Sequence, residues 1–197
     1  KLIKAGKSAK LIAALKQVKA DYGSSFSAGG FNPRPMKKRG YRLGTLSDHA
    51  LGTAIDIESS KNPHITKEWA AILDYTGKTS TTAQRISQWK TNPKDLHTKI
   101  KDISDTFAKK VKEATDAIEK QGAAAKKAAT SPAKKEKSSL DKAIDNDPKL
   151  ENIGGAFVHK WKNGFFTLEW NLVKELHEEG FRWGAVFSHP DLHHFEL

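Results

Sequence analysis

The longest regular pattern of apolar positions runs from residue 95 to residue 120. Leu96, Ile100, Ile103, Phe107, Val111, Ala114 and Ile118 recur at spacings of three and four, with lysines and acids between them. That spacing predicts a helix with one buried face. Residues 2–20 carry a comparable stripe of Leu2, Ile3, Leu11, Ile12, Leu15 and Val18 among lysines, and predict an amphipathic surface helix. Shorter helices are expected at residues 69–75, across Leu140, Ile144 and Leu150, and over residues 171–179, where Gly180 supplies a stop signal. Residues 156–161 and 165–168 flank the turn Lys162-Asn163-Gly164 and read as the two strands of a hairpin.

Two further segments alternate with period two. From Thr53 the chain reads as a short strand, with Ile55 and Ile57 on one face and Ala54 and Asp56 on the other. Residues 193–197 read as a terminal strand, with His193, Phe195 and Leu197 on one face and His194 and Glu196 on the other. Phe195 and Leu197 favour the core, so His194 is expected on the open side. Asp56 on an apolar strand is costly to bury without a partner. A divalent metal shared with His49 would be that partner, and Gly52 between them allows a tight bend. His49, Asp56 and His194 make three protein ligands and leave a fourth position open, the arrangement of a catalytic zinc.

The stretch Ser47-Asp48-His49-Ala50-Leu51-Gly52-Thr53-Ala54-Ile55-Asp56, followed much later by Asp191-Leu192-His193-His194-Phe195-Glu196, resembles a known pattern. It is similar to that of the zinc peptidases of bacterial cell-wall peptides. These are the D-Ala-D-Ala carboxypeptidases and dipeptidases and the L-alanyl-D-glutamate peptidases, whose fold is shared with lysostaphin-type enzymes and the hedgehog signalling domain. The resemblance covers residues 47–57 and 180–197, and extends more loosely to Gly30-Phe31-Asn32-Pro33-Arg34. It implies His49, Asp56 and His194 as the ligands of one Zn²⁺ and Asp191 as the catalytic base. It favours Arg34, stiffened by Pro33 and Pro35, as the cation that holds a substrate carboxylate or oxyanion. Arg39 and Arg42 compete for that role. Ser47, Glu196, His189, His193 and Trp183 are candidates to orient ligands or line the substrate site. Strand parity places His193 on the wrong face for a ligand. The implied activity is hydrolysis of an amide bond in the peptidoglycan stem peptide, of D,D-carboxypeptidase or L,D-endopeptidase type, as in an endolysin.

The expected fold is α+β: a small antiparallel sheet carrying the zinc site, packed with helices, plus an inserted helical hairpin. The expected boundaries are residues 1–95 and 151–197 for the peptidase domain and 96–150 for the insertion, a size that 197 residues can accommodate. The insertion's Ala/Lys-rich tip carries Lys126, Lys127, Lys134, Lys135 and Lys137. With a net charge of +11, it suggests anionic wall polymers or a protein partner. Nucleic acid fits the charge alone, because no helix-turn-helix, zinc-finger or aromatic strand motif accompanies it. An inactive zinc-containing wall-binding module is the other alternative to an enzyme. There are no cysteines, hence no disulfides and no thiolate metal site. No apolar run approaches the ~20 residues needed to span a bilayer. Residues 1–21 do not read as a signal peptide, since Lys4, Lys7, Lys10 and Lys16 interrupt them. A location in the periplasm, the cell wall or the medium, or delivery as a phage lysin, would therefore need another export signal or route.

Two tempting motifs fail. Gly77-Lys78-Thr79 lacks the glycine that a phosphate-binding loop needs at residue 72, and Phe181 stands where a zincin helix starting at His177 needs its second His. His64, His97 and His159 read as ordinary surface or core histidines.

Overall fold

The computed structural model describes residues 27–29, 47–51, 53–126 and 137–197, together with Lys16. The helix expected over residues 2–20 therefore lies outside the described residues apart from Lys16, as do Arg34, Arg39, Arg42 and Gly52. In chain order the elements are β1 (Ala28–Gly29), α1 (Asp48–Leu51), β2 (Ala54–Ile57), α2 (Trp69–Thr76), α3 (Thr82–Thr91) and α4 (Pro93–Lys126). They continue with α5 (Ser139–Asn146), α6 (Pro148–Ile153), α7 (Gly155–Trp161), α8 (Trp170–Glu178), β3 (Arg182–Trp183) and β4 (His194–Glu196). The fold is α+β, and the strands form one antiparallel sheet in the order β1-β2-β4-β3. Among the described residues no helix is long and apolar enough to cross a membrane.

The chain divides into two compact units. One comprises Lys1–Ile65, Thr81–Ile100 and Phe166–Leu197, and the other Thr66–Ser80 and Lys101–Phe165. The helical unit is thus wider than residues 96–150, and helix α4 begins in the sheet-bearing unit. Its apolar stripe is buried as expected from Leu96 to Val111, while Ala114 and Ile118 are only partly buried. Leu96 and Ile100 are buried in the first unit, and Ile103, Phe107 and Val111 in the second.

In the sheet-bearing unit, the core lies against one face of the sheet. Trp183 and Phe195, facing each other across β3 and β4, are fully buried and stack with centroids 5.9 Å apart and planes 4° from parallel. Trp89 of α3 lies 5.8 Å from Trp183 and meets His177 of α8 edge-on at 4.6 Å. His97 is buried, and its Nε2 donates to the Leu168 carbonyl at 2.8 Å. Leu197 departs from expectation at 46% exposure, although its N–H still pairs with Thr53 O at 2.9 Å. It stands past the last residue of β4, beyond the reach of the core on that face.

In the helical unit, Phe107 gathers Tyr75, Phe157 and Phe165 at ring distances of 6.3, 6.0 and 5.7 Å. Two expectations change here. Residues 156–161 form helix α7 and not a strand. Their short apolar run fits either period, and Phe157 and Trp161, one helical turn apart, bring their rings to 6.3 Å. Residues 165–168 join no sheet either. Side chains take up their backbone donors, with Phe165 N–H on Ser104 Oγ at 2.7 Å and, in the sheet-bearing unit, Thr167 N–H on Asn62 Oδ1 at 2.8 Å. The turn between them survives, with Gly164 at φ 105°. The helix expected across Leu140–Leu150 is two helices, because Asp147 precedes Pro148 and takes an extended conformation (φ −113°, ψ 102°).

Candidate metal centre

The site is built where β2 and β4 pair. The register sets Asp56 directly opposite His194 and Ile55 opposite Phe195. Both apolar partners are buried, so the two polar partners share the other face. His49 arrives from the short helix α1. Ser47 caps that helix, accepting the Ala50 N–H on its carbonyl at 2.8 Å and on Oγ at 3.3 Å. Thr53 then closes the turn into β2 by donating its N–H and its hydroxyl to Asp48 O, at 2.9 and 3.1 Å. This fold-back lays the buried His49 over Asp56.

One donor atom from each of His49, Asp56 and His194 falls within a sphere where all lie within 4.8 Å of one another, so the group can hold a metal ion. Asp56 Oδ1 is 3.2 Å from His49 Nε2 and 3.0 Å from His194 Nδ1. A tetrahedral ion with ligand bonds of ~2.0–2.1 Å would want neighbouring donors ~3.3 Å apart, so these two edges already match closely. His194's other nitrogen, Nε2, lies 3.2 Å from Glu196 Oε2. Glu196 in turn forms an ion pair with Arg182, which faces it across β3 and β4.

The charges respond to this crowding. Burial pulls the His194 imidazolium down, but the hydrogen bonds to Asp56 and Glu196 and the charge of Asp191 outweigh it and push its pKa up to about 9. Burial likewise raises Asp56, and the His194 hydrogen bond with the charges of His193, His49 and His194 outweighs it, leaving the carboxylate below its ordinary range. Glu196 is held low first by its bond from His194 and then, against burial, by Arg182. With an acceptor on each side, the metal-free His194 ring carries both protons, and a metal ion would replace the one on Nδ1.

Asp191 sits at the edge of this cluster. Its backbone is held on both sides. Asp191 N–H bonds Gly184 O at 3.0 Å, while Ile65 N–H bonds Pro190 O at 2.7 Å and Leu192 N–H bonds Pro63 O at 3.0 Å. The Asp191 Oδ1 atom is buried and receives no hydrogen bond among the described residues. His193 Nδ1 lies 3.1 Å from it, but that nitrogen is 2.6 Å from Asn62 O, a carbonyl that can only accept, so its N–H is spent there. His193 also brings Nε2 to 3.8 Å from Asp56 Oδ1. It therefore borders the cluster and is not one of the three grouped ligands.

Other candidates lie elsewhere. Trp183 belongs to the core beneath the sheet, where its indole N–H donates to Leu192 O at 2.9 Å. His189 is exposed. Two residues that the sequence did not single out support the site. Arg85 of α3 is buried and donates to Ala185 O at 2.8 Å and to Phe187 O at 2.6 Å, which pins the turn after β3. Phe187, at the end of that turn, sets its ring 5.8 Å from His194. Thr81 and Gln84 form the capping box that opens α3, and they are the sequence signal that would have revealed that helix. Comparison with protein-family models, with curated proteins and with solved structures finds no match for the chain.

Proposed function

We propose that the protein is a zinc-dependent peptidase that hydrolyses an amide bond in the stem peptide of peptidoglycan. The observation that carries this reading is the His-Asp-His donor group, with Asp191 at its edge, 3.1 Å from His193 Nδ1. Two neutral histidines and one carboxylate would leave a bound Zn²⁺ with net positive charge, able to acidify water and polarise a peptide carbonyl. The Asp191 carboxylate would accept the proton of the attacking water and return it to the leaving amine. Among the described residues no group donates a hydrogen bond to Asp191 Oδ1. Glu196 orients His194 from behind through Nε2. Arg34 serves as the cation for the substrate carboxylate or oxyanion, and the lysine-rich stretch near Lys137 as a contact for anionic wall polymers. The work place is the cell wall or periplasm, reached by export or phage lysis.

The test is incubation of the zinc-loaded protein with purified peptidoglycan and mass analysis of the released peptides. It also separates the D-Ala-D-Ala bond from the L-Ala-D-Glu bond. Asp191→Asn should keep the zinc and the melting temperature while hydrolysis falls by ~10²–10⁴-fold. An Asp191→Asn protein that cleaves near the parent rate would remove Asp191 from the role of base. A zinc-loaded parent that releases no peptide would sink the peptidase reading itself.

A further inference from the structure

We infer that Arg182 is a positioning residue for the metal centre, acting through Glu196 to hold the His194 ring in its ligating orientation. The inference rests on the metal part of the reading above and not on hydrolysis. Its basis is a continuous chain of contacts across the sheet. Arg182 and Glu196 are cross-strand partners on β3 and β4, and the guanidinium bonds Glu196 Oε1. The second carboxylate oxygen, Oε2, takes His194 Nε2 at 3.2 Å. On the far side of the same ring, Nδ1 faces Asp56 Oδ1 at 3.0 Å, where the metal would sit. Each Glu196 oxygen thus has one partner, so the carboxylate cannot turn to meet Arg182 without moving its contact with His194.

Arg182 is itself fixed from a second side. Its Cζ lies 5.1 Å from the Phe187 ring centre, and that ring lies 5.8 Å from the His194 ring. Arg182, Glu196, His194 and Phe187 therefore close a circuit around the ligand. Because Glu196 Oε2 can only accept from His194, the Nε2 position must carry the proton, which leaves Nδ1 as the ligating nitrogen. Arg182 supports that arrangement by holding one Glu196 oxygen, which keeps the carboxylate in place against the ring.

A purely structural salt bridge would behave differently. The Arg182 side chain is 60% exposed, and an exposed ion pair contributes only ~0–1 kcal/mol to folding. Removing Arg182 should leave the fold almost untouched and still weaken the metal site. The direct partner of a metal-bound His is typically worth ~10–100-fold in metal affinity. Arg182 acts one bond further out, so a loss of about 3- to 10-fold is expected.

The experiment is competitive zinc titration against a chromophoric chelator, with melting curves, on the parent, Arg182→Met, Arg182→Lys, Glu196→Ala and the Arg182→Met/Glu196→Ala double variant. The expected results are weaker zinc binding in Arg182→Met, partial recovery in Arg182→Lys, and no further loss when Arg182→Met is added to Glu196→Ala. Unchanged zinc affinity in Arg182→Met overturns the inference, and so do losses that simply add in the double variant. If the parent binds no zinc, the metal centre fails, and the inference with it. Zinc binding without peptide release would leave the inference standing and remove the peptidase reading.

Discussion

Substituting Gly184 by Ala should move the two residues that matter most at the site. Gly184 opens the turn between β3 and Phe187, and a Cβ built there would come well under 3.0 Å from the Asp191 carbonyl oxygen. It would also stand 3.0 Å from Asp191 Cβ and 3.1 Å from the His194 carbonyl oxygen. Two of those three atoms are backbone, so no rotamer change relieves the clash and the segment carrying Asp191 and His194 must shift. Overpacking of this kind costs about 1–3 kcal/mol. The same shift strains the bonds from Asp191 N–H and Phe187 N–H to Gly184 O, both 3.0 Å. For a chain of this size each kcal/mol lowers the melting temperature by roughly 2–4 °C, so a fall of about 2–12 °C is expected. Gly122 is the control. It lies inside α4, where an added Cβ would meet nothing within 4 Å beyond its own neighbouring helix backbone. Gly122→Ala should therefore stabilise, by about 0.5–1 kcal/mol. Thermal melts followed by circular dichroism, with zinc titration, read both effects. Gly184→Ala melting with the parent, at unchanged zinc affinity, would refute the claim that this close approach places Asp191 and His194.

The remaining predictions concern metal and protons. His49→Ala and His194→Ala should each lose nearly all bound zinc by elemental analysis, whereas His193→Ala should retain most of it. A reversal between His193 and His194 would show that the grouped ligands are the wrong set. The His194 pKa, raised from an ordinary 6.5 to about 9 in the folded metal-free protein, sets a pH window. The stability it contributes is fully present below pH 6.5 and is lost as pH rises through about 9, by an amount on the order of a few kcal/mol. Denaturant midpoints of the metal-free protein should fall across that window, and a flat profile would count against the Asp56–His194–Glu196 contact.

What the sequence made legible follows from how each signal is generated. The stripe from Leu96 to Val111 was readable because about four helical turns repeat the same period, and its apolar residues Leu96, Ile100, Ile103, Phe107 and Val111 are all buried. The pairing of Asp56 with His194 was readable because parity on two short strands points both toward the same open face. Residues 156–161 were misread because six residues of mixed apolar character do not separate a period of two from one of 3.6. The break at Asp147-Pro148 is signalled by the dipeptide, but the apolar spacing of Leu140, Ile144 and Leu150 runs across it without interruption. Arg85 and Arg182 carry no local signal. One is buried by a helix that lies about a hundred residues before the turn it holds, and the other matters only through the residue opposite it on the next strand.

That last point joins folding to chemistry. The bond that brings β4 beside β2 sets Ile55 against Phe195 and, one residue on, Asp56 against His194. A register slip by one residue would turn Phe195, now fully buried, onto the open face and carry His194 into the core. The apolar pair therefore enforces the polar pair, and no separate device is needed to bring two donors together. His49 is different, since its position depends on α1 and on Thr53 closing onto Asp48, contacts local to residues 47–53. It follows that Phe195→Ala should harm the site by a different route from His49→Ala. The first loosens the register and lowers the melting temperature together with zinc affinity, by about 3–5 kcal/mol for a large aromatic in a core. The second removes a ligand from a sheet that still assembles.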